Sequence, residues 1–217
     1  DDNEPESDLP KFAVIGQPNV GKSSFLNALL DEERNLVTDI AGTTRDPVHS
    51  VYRKYGKEFM LIDTAGIRKK HKVFEDLEFY SVIRAIKAIE DCDVCYLMID
   101  ATLGIEAQDM ELVSLVIKRN KGLVILVNKW DLVEKTTYTS KEFETKIRAK
   151  LAPFVDVPIL FISAKDKQRI FQAVEKGLEV YNNRRQEIKT SDINDKMLEA
   201  IGKVPPPSYR NHLIKIK

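Results

Sequence analysis

The residues from Gly16 to Ser24, GQPNVGKSS, place two glycines, a lysine and two serines in the pattern G-x-x-x-x-G-K-[ST]. Such a loop holds phosphates: its backbone amides and the start of the next helix bind the oxygens, the lysine meets the β- and γ-phosphates, and the serine ligates Mg²⁺. On this pattern Gly16, Gln17, Pro18, Asn19, Val20, Gly21, Lys22, Ser23 and Ser24 contact a nucleotide, with Ser23 on the metal. The loop does not choose the base. That choice lies in NKWD, Asn128 to Asp131, directly after the apolar run GLVILV. An aspartate there accepts from both N1–H and the 2-amino group of guanine, an edge that adenine lacks, and a carboxylate closed in without those donors is costly. Asn128, Lys129 and Asp131 are therefore assigned to guanine, and Ser163-Ala164-Lys165, at the end of a later apolar run, offers a backbone N–H to the guanine O6.

Two further segments lie between these. DTAG, Asp63 to Gly66, supplies a second acid for the Mg²⁺ shell in Asp63, and the Gly66 amide senses a γ-phosphate, with Thr64 and Ala65 beside it. TDIAGTTRD, Thr38 to Asp46, is a polar loop in which a threonine, Thr43 or Thr44, completes the Mg²⁺ shell only while the γ-phosphate is present. A loop held that way is a switch. Of these residues, Lys22, the switch threonine and the Gly66 amide bear on turnover.

These groups need a frame. FAVIG reads as a buried strand and KSSFLNALL as the helix after the loop, with Phe25, Leu26, Leu29 and Leu30 at helical spacing. VHSVYRKY and KEFMLID flank Gly56 as a hairpin. FEDLEFYSVIRAIKAIE, EAQDMELVSLVIKRN, KEFETKIRAKL and KQRIFQAVEKGLEVYNNRRQ read as helices, alternating with the strands VCYLMID, GLVILVN and VPILFIS. Strands of continuous apolar character between crossover helices predict an α/β fold of the P-loop, Ras-like kind: a doubly wound, mostly parallel six-stranded sheet with one antiparallel strand. Residues 1–10, with five acids and two prolines, read as a linker, residues 11–187 as the nucleotide-binding domain, and residues 188–217 as the incomplete start of another module. That last stretch carries a capped helix from about Ser191, the turn Pro205-Pro206-Pro207 and the strand LIKIK.

The 34 basic and 34 acidic residues cancel, so no global field draws the chain to nucleic acid or an anionic membrane. No apolar run reaches membrane-spanning length and no leader pattern opens the chain, which reads as a cytoplasmic fragment beginning at Asp1. Cys92 and Cys95 have C-x-x-C spacing without a second metal pair; on strand alternation the two side chains are expected to face opposite ways, as buried structural thiols. His49, His71 and His212 form no pattern with a nucleophile, and Trp130 is expected to pack. IRKKHK, Ile67 to Lys72, is a basic run suited to solvent, or to a contact with RNA or a neighbouring domain.

GQPNVGKSS, TDIAGTTRD, DTAGIRKK, NKWD and SAK, in that order, resemble a translation-factor-class bacterial GTPase domain. The helix FEDLEFYSVIRAIKAIEDCDV and the tail TS-x-x-N…PPPS resemble the second G domain of the EngA family, also called Der, running into its KH-like part. The resemblance implies a GTPase of large-ribosomal-subunit assembly, with GTP/GDP, ribosomal RNA or the large subunit, and neighbouring G and KH-like domains as partners. Small GTPases orient the attacking water with a Gln after DxxG; here that position is Ile67. Relatives with an apolar residue there use K⁺ beside the phosphates, which implies Asn19 and the carbonyls of Thr38 and Ile40 as ligands. The alternative is a nucleotide-gated binding module with negligible hydrolysis of its own. The tail shows no GxxG clamp, so RNA binding is not assigned to it.

Overall fold

The computed structural model describes residues 9–31, 50–62, 77–134, 136 and 139–204. Thr38, Ile40, Thr43, Thr44, Asp63, Thr64, Ala65, Gly66, Ile67, the IRKKHK run, the three histidines and LIKIK lie outside them. The chain divides into two compact units, Asp1–Arg184 and Arg185–Lys217.

In the first unit the elements run β1 (Lys11–Ile15), α1 (Lys22–Asp31), β2 (Ser50–Lys54), β3 (Lys57–Leu61), α2 (Leu77–Asp91), β4 (Val94–Asp100), α3 (Ala107–Lys118), β5 (Gly122–Asn128), α4 (Thr139–Leu151), β6 (Ile159–Phe161) and α5 (Ile170–Arg184). Six strands form one sheet in the order β2-β3-β1-β4-β5-β6. β1 pairs in parallel with β3 and β4, β4 with β5, and β5 with β6; only β2 runs antiparallel, against β3. That hairpin closes through Tyr55 and Gly56, both at positive φ (52° and 68°), the geometry whose twist matches that of paired strands. Across it Tyr52 stacks on Phe59 with centroids 4.5 Å apart.

The continuous apolar runs are explained by burial on two faces. Every residue of β4 and β5 is buried. Alternation sends Val94, Tyr96 and Met98 into one core with Phe25, Leu26 and Leu29 of α1 and Ala173 and Val174 of α5. Cys95, Leu97 and Ile99 enter the other, with Ile89 of α2, Val113 and Val116 of α3 and Ile147 and Leu151 of α4. Each large side chain so enclosed contributes on the order of 2 kcal/mol of transfer free energy. Since α1 and α2 cover opposite faces, the carboxyl end of β1 opens into a crevice, the place where such sheets bind ligands.

Three expectations are corrected. Cys92 and Cys95 do not face apart: both belong to one core and their Sγ atoms lie 3.2 Å apart. β4 begins only at Val94, so Cys92 precedes the alternating segment. They are free thiols, and hydrogen bonding from Cys92 together with burial pushes the Cys95 thiol well up, which makes it inert. The helix expected from Lys167 starts at Ile170, because Lys167 and Arg169 take left-handed φ and Ser163 bridges to Gln168 in a turn. In the second unit α6 spans Thr190–Lys203, with Lys189 as an N-cap that makes no side-chain bond, and none of its residues is buried. Trp130 packs as expected, against Phe143 and Phe161.

Candidate nucleotide-binding site

At the end of β1, Gly16 turns with φ 140°, and a Cβ there would lie 2.4 Å from the Met98 carbonyl oxygen of the adjacent strand. Gly21, at φ 101°, passes so close to NKWD that a Cβ would sit 2.2 Å from Asn128 Nδ2. Both glycines are thus fixed by close approach as well as by backbone conformation. Between them, exposed Asn19 holds φ 62°, a left-handed conformation that asparagine tolerates better than most residues. Among the described residues its side chain makes no hydrogen bond.

Helix α1 opens with Lys22 and Ser23 and carries no acid in its first turn, so its positive end is uncompensated. Lys22 Nζ donates to the carbonyls of Gly16 at 2.7 Å and Gln17 at 2.6 Å, folding the side chain back over the loop. Burial lowers the pKa of this ammonium. The Ser23 hydroxyl is exposed beside it.

The NKWD segment, expected to read the base, is tied to this loop directly. Asn128, 3% exposed at the end of β5, donates from Nδ2 to the Val20 carbonyl at 2.8 Å and accepts at Oδ1 from the Ala164 N–H at 2.9 Å. One amide therefore joins the phosphate loop, NKWD and Ser163-Ala164-Lys165. Ser163 is buried, and its hydroxyl accepts from the Asp166 N–H at 3.2 Å, shaping that turn. Lys129 takes φ 61° and its Nζ donates to Asp100 Oδ2 at 2.6 Å. Asp131 lies in the short 3-10 turn Trp130–Leu132, partly exposed.

Asp100, Glu106 and Asp109 were not among the expected site residues. They border a cleft of about 190 Å³ that is also lined by Gln17, Pro18, Asn19 and Val20. For Asp100 a signal existed: it is an acid at a strand's carboxyl end, in register with Asn128. Burial alone would raise its carboxyl, but hydrogen bonds from Lys129 and Thr102 outweigh that and hold it below the ordinary range. Asp109 is 1% exposed; its Oδ2 accepts from the Glu106 N–H at 2.9 Å while Oδ1 has no partner. Burial pushes this carboxyl up, against hydrogen bonding from Glu106 and Gln17. Glu106 accepts at Oε2 from Gln17 Nε2 at 3.0 Å.

Residues 11–129 match the family described as 50S ribosome-binding GTPase. The chain belongs to that family. Relatives carry the resemblance over nearly all of this chain: it is 58% identical over 214 residues to GTPase Der of Amoebophilus asiaticus, covering 99% of this chain and 49% of that protein. It is 55% identical over 213 residues to GTPase Der of Bacteroides thetaiotaomicron, covering 98% and 49%. The chain thus spans about half the length of the relatives it matches. In fold it is similar to Era in complex with MgGDPNP and a segment of 16S ribosomal RNA, with a TM-score of 0.61 and 30% identity over 79% of this chain and 56% of that one. Among the described residues no helix is long and apolar enough to cross a membrane.

Proposed function

We propose that this chain binds GTP at the phosphate loop and NKWD and hydrolyses it to GDP and phosphate, as a switch in assembly of the large ribosomal subunit. The observation that carries the reading is the Asn128 side chain, which spans from Val20 to Ala164 and so holds a phosphate-binding loop and a guanine-reading segment at a fixed separation. Asp131 accepts from the guanine edge, and a backbone N–H of Ser163-Ala164-Lys165 meets O6. Lys22, whose ammonium lies against the loop carbonyls of Gly16 and Gln17, meets β- and γ-phosphate oxygens.

The residues present fit a Mg²⁺ ion: Ser23 offers an exposed hydroxyl at an acid-free helix start, where phosphates supply the remaining charge. Ser23, Thr44 and Asp63 would hold it, and the ion would supply positive charge against the phosphates. Gly66 donates its amide to the γ-phosphate. Asn19, whose side chain makes no hydrogen bond among the described residues, would be the side-chain ligand for K⁺ together with the carbonyls of Thr38 and Ile40, and the ion would supply positive charge against that developing on the phosphates. On this reading residues 1–10 are a linker, 11–187 a second G domain, and 188–217 the start of a KH-like module, in a cytoplasmic protein with further domains. The relatives named GTPase Der and the family's description as 50S ribosome-binding support it.

Phosphate release in KCl and in NaCl tests the chemistry. Turnover is expected to be faster in KCl for the natural chain and equal in both salts for Asn19→Ala; equal rates in the natural chain remove potassium, and no release even with ribosomal particles favours the gated binding module. Asp131→Asn is expected to move preference from guanine toward xanthine nucleotides in competition binding, since the new amide donates to the xanthine O2. Unchanged GTP preference would count against Asp131 as the base reader.

A further inference from the structure

We propose that Glu106 is a positioning residue for the phosphate loop, acting through the side chain of Gln17. The two residues are 89 positions apart, and no motif spacing relates them. Gln17 Nε2 donates to Glu106 Oε2 at 3.0 Å, while the carbonyl of the same Gln17 accepts from Lys22 Nζ at 2.6 Å. Whatever fixes the Gln17 side chain therefore also fixes the backbone that holds the lysine. The next residues, Pro18 and Asn19, are exposed, and Asn19 is in left-handed backbone, so this shoulder of the loop has little packing to keep it in place.

Glu106 is suited to the task because its own backbone is held from several sides. Its N–H donates to Asp109 Oδ2 at 2.9 Å, its carbonyl accepts from the Met110 N–H at 3.2 Å, and the carbonyl of preceding Ile105 accepts from Lys150 Nζ at 2.6 Å. Asp109 is buried and borders the same cleft as Gln17. The α3 start is thus a fixed post beside a lightly supported loop. The Gln17–Glu106 bond lies at the surface and adds little to global stability. Its consequence is local, in where the Gln17 carbonyl and the following amides point.

The inference rests on the phosphate-loop reading above. Its test is calorimetric titration of GDP and GMP into the chain and its variants, with thermal unfolding as a check on folding. Glu106→Ala is expected to weaken GDP about fivefold, the scale of one partly exposed hydrogen bond to a charged group, and to leave GMP, which lacks the β-phosphate that Lys22 meets, nearly unchanged. The helix keeps the Asp109 contact to the residue-106 N–H in that variant. Glu106→Gln retains an acceptor oxygen and is expected to bind GDP as the natural chain does. In a Gln17→Ala background, adding Glu106→Ala is expected to have no further effect. Equal weakening of GDP and GMP, no weakening of either, or an undiminished effect without Gln17 would each overturn the proposal. Lys22→Ala separates the two levels: if GDP affinity survives it, the phosphate-loop reading fails and takes this one with it. If it abolishes GDP binding while Glu106→Ala does nothing, only the role of Glu106 is lost.

Discussion

Asp100 and Asp109 border the same cleft from the two ends of the β4–α3 connection, yet their surroundings shift their protonation in opposite directions. Both residues are buried, at 7% and 1% exposure, so burial by itself does not decide the sign. The difference is partners. Asp100 receives the Lys129 ammonium and both the N–H and the hydroxyl of Thr102, so its charge is more than compensated. Asp109 receives one backbone N–H on Oδ2, and hydrogen bonding from Glu106 and Gln17 does not offset its burial. The lesson is that the first carboxylate is anchored to the NKWD segment through Lys129, whereas the second shapes a helix start and tolerates a desolvated charge to do so.

Breaking the better-satisfied side is expected to cost most. Asp100→Ala strips three donors of their acceptor and should lower unfolding free energy by about 2 kcal/mol, a figure already discounted because the Lys129 side chain is one-third exposed. Asp100→Asn keeps one acceptor oxygen and should lose about half as much. Urea unfolding measures both, and a loss near zero for the alanine variant would show that the Lys129–Asp100 bridge is an ordinary surface pair.

The pH dependence sharpens the contrast. Asp100 titrates below its ordinary value of 3.8, so its stabilisation is present above that pH and fades as pH falls through the lowered folded pKa. The advantage of the natural chain over Asp100→Asn should therefore shrink only below about pH 3.8. Asp109 is raised, so the stability it contributes is present below pH 3.8 and is lost as pH rises through its higher folded pKa. Asp109→Asn should gain on the natural chain across that window. Unfolding curves from pH 3 to 7, on the order of the carboxylate range, resolve the two trends; parallel curves for both variants would contradict the assignment.

The smallest effect is expected where geometry is as good but solvent intrudes. Arg119 and Glu90 approach to 2.6 Å, the same separation as Lys129 and Asp100, with side chains 40% and 46% exposed. Arg119→Ala should cost about 0.5 kcal/mol or less in the same urea assay. A loss matching that of Asp100→Ala would mean that distance, and not burial, sets the worth of these pairs.

Much of this was legible in the residue pattern because the signals are local. Strands buried on both faces announce themselves as unbroken apolar runs, and the motifs of phosphate loop and NKWD each fit in a few residues. The chain order of strands also places Asn128 at the mouth of the crevice. What was not legible depends on contacts between distant positions or on where an element begins. Gln17 meets Glu106 only because β1 lies beside β4 and the connection after β4 returns along the phosphate loop. The thiols of Cys92 and Cys95 meet because β4 begins two residues after Cys92, a boundary that hydrophobicity alone does not mark.

The Asn128 amide has one more consequence. Because protein groups alone join Val20, Asn128 and Ala164, the entropy of ordering these three segments is charged to folding and not to binding. Nucleotide affinity should then track the integrity of β5 itself. A core substitution far from the phosphates, on that strand, would loosen the grip on guanosine and phosphate together.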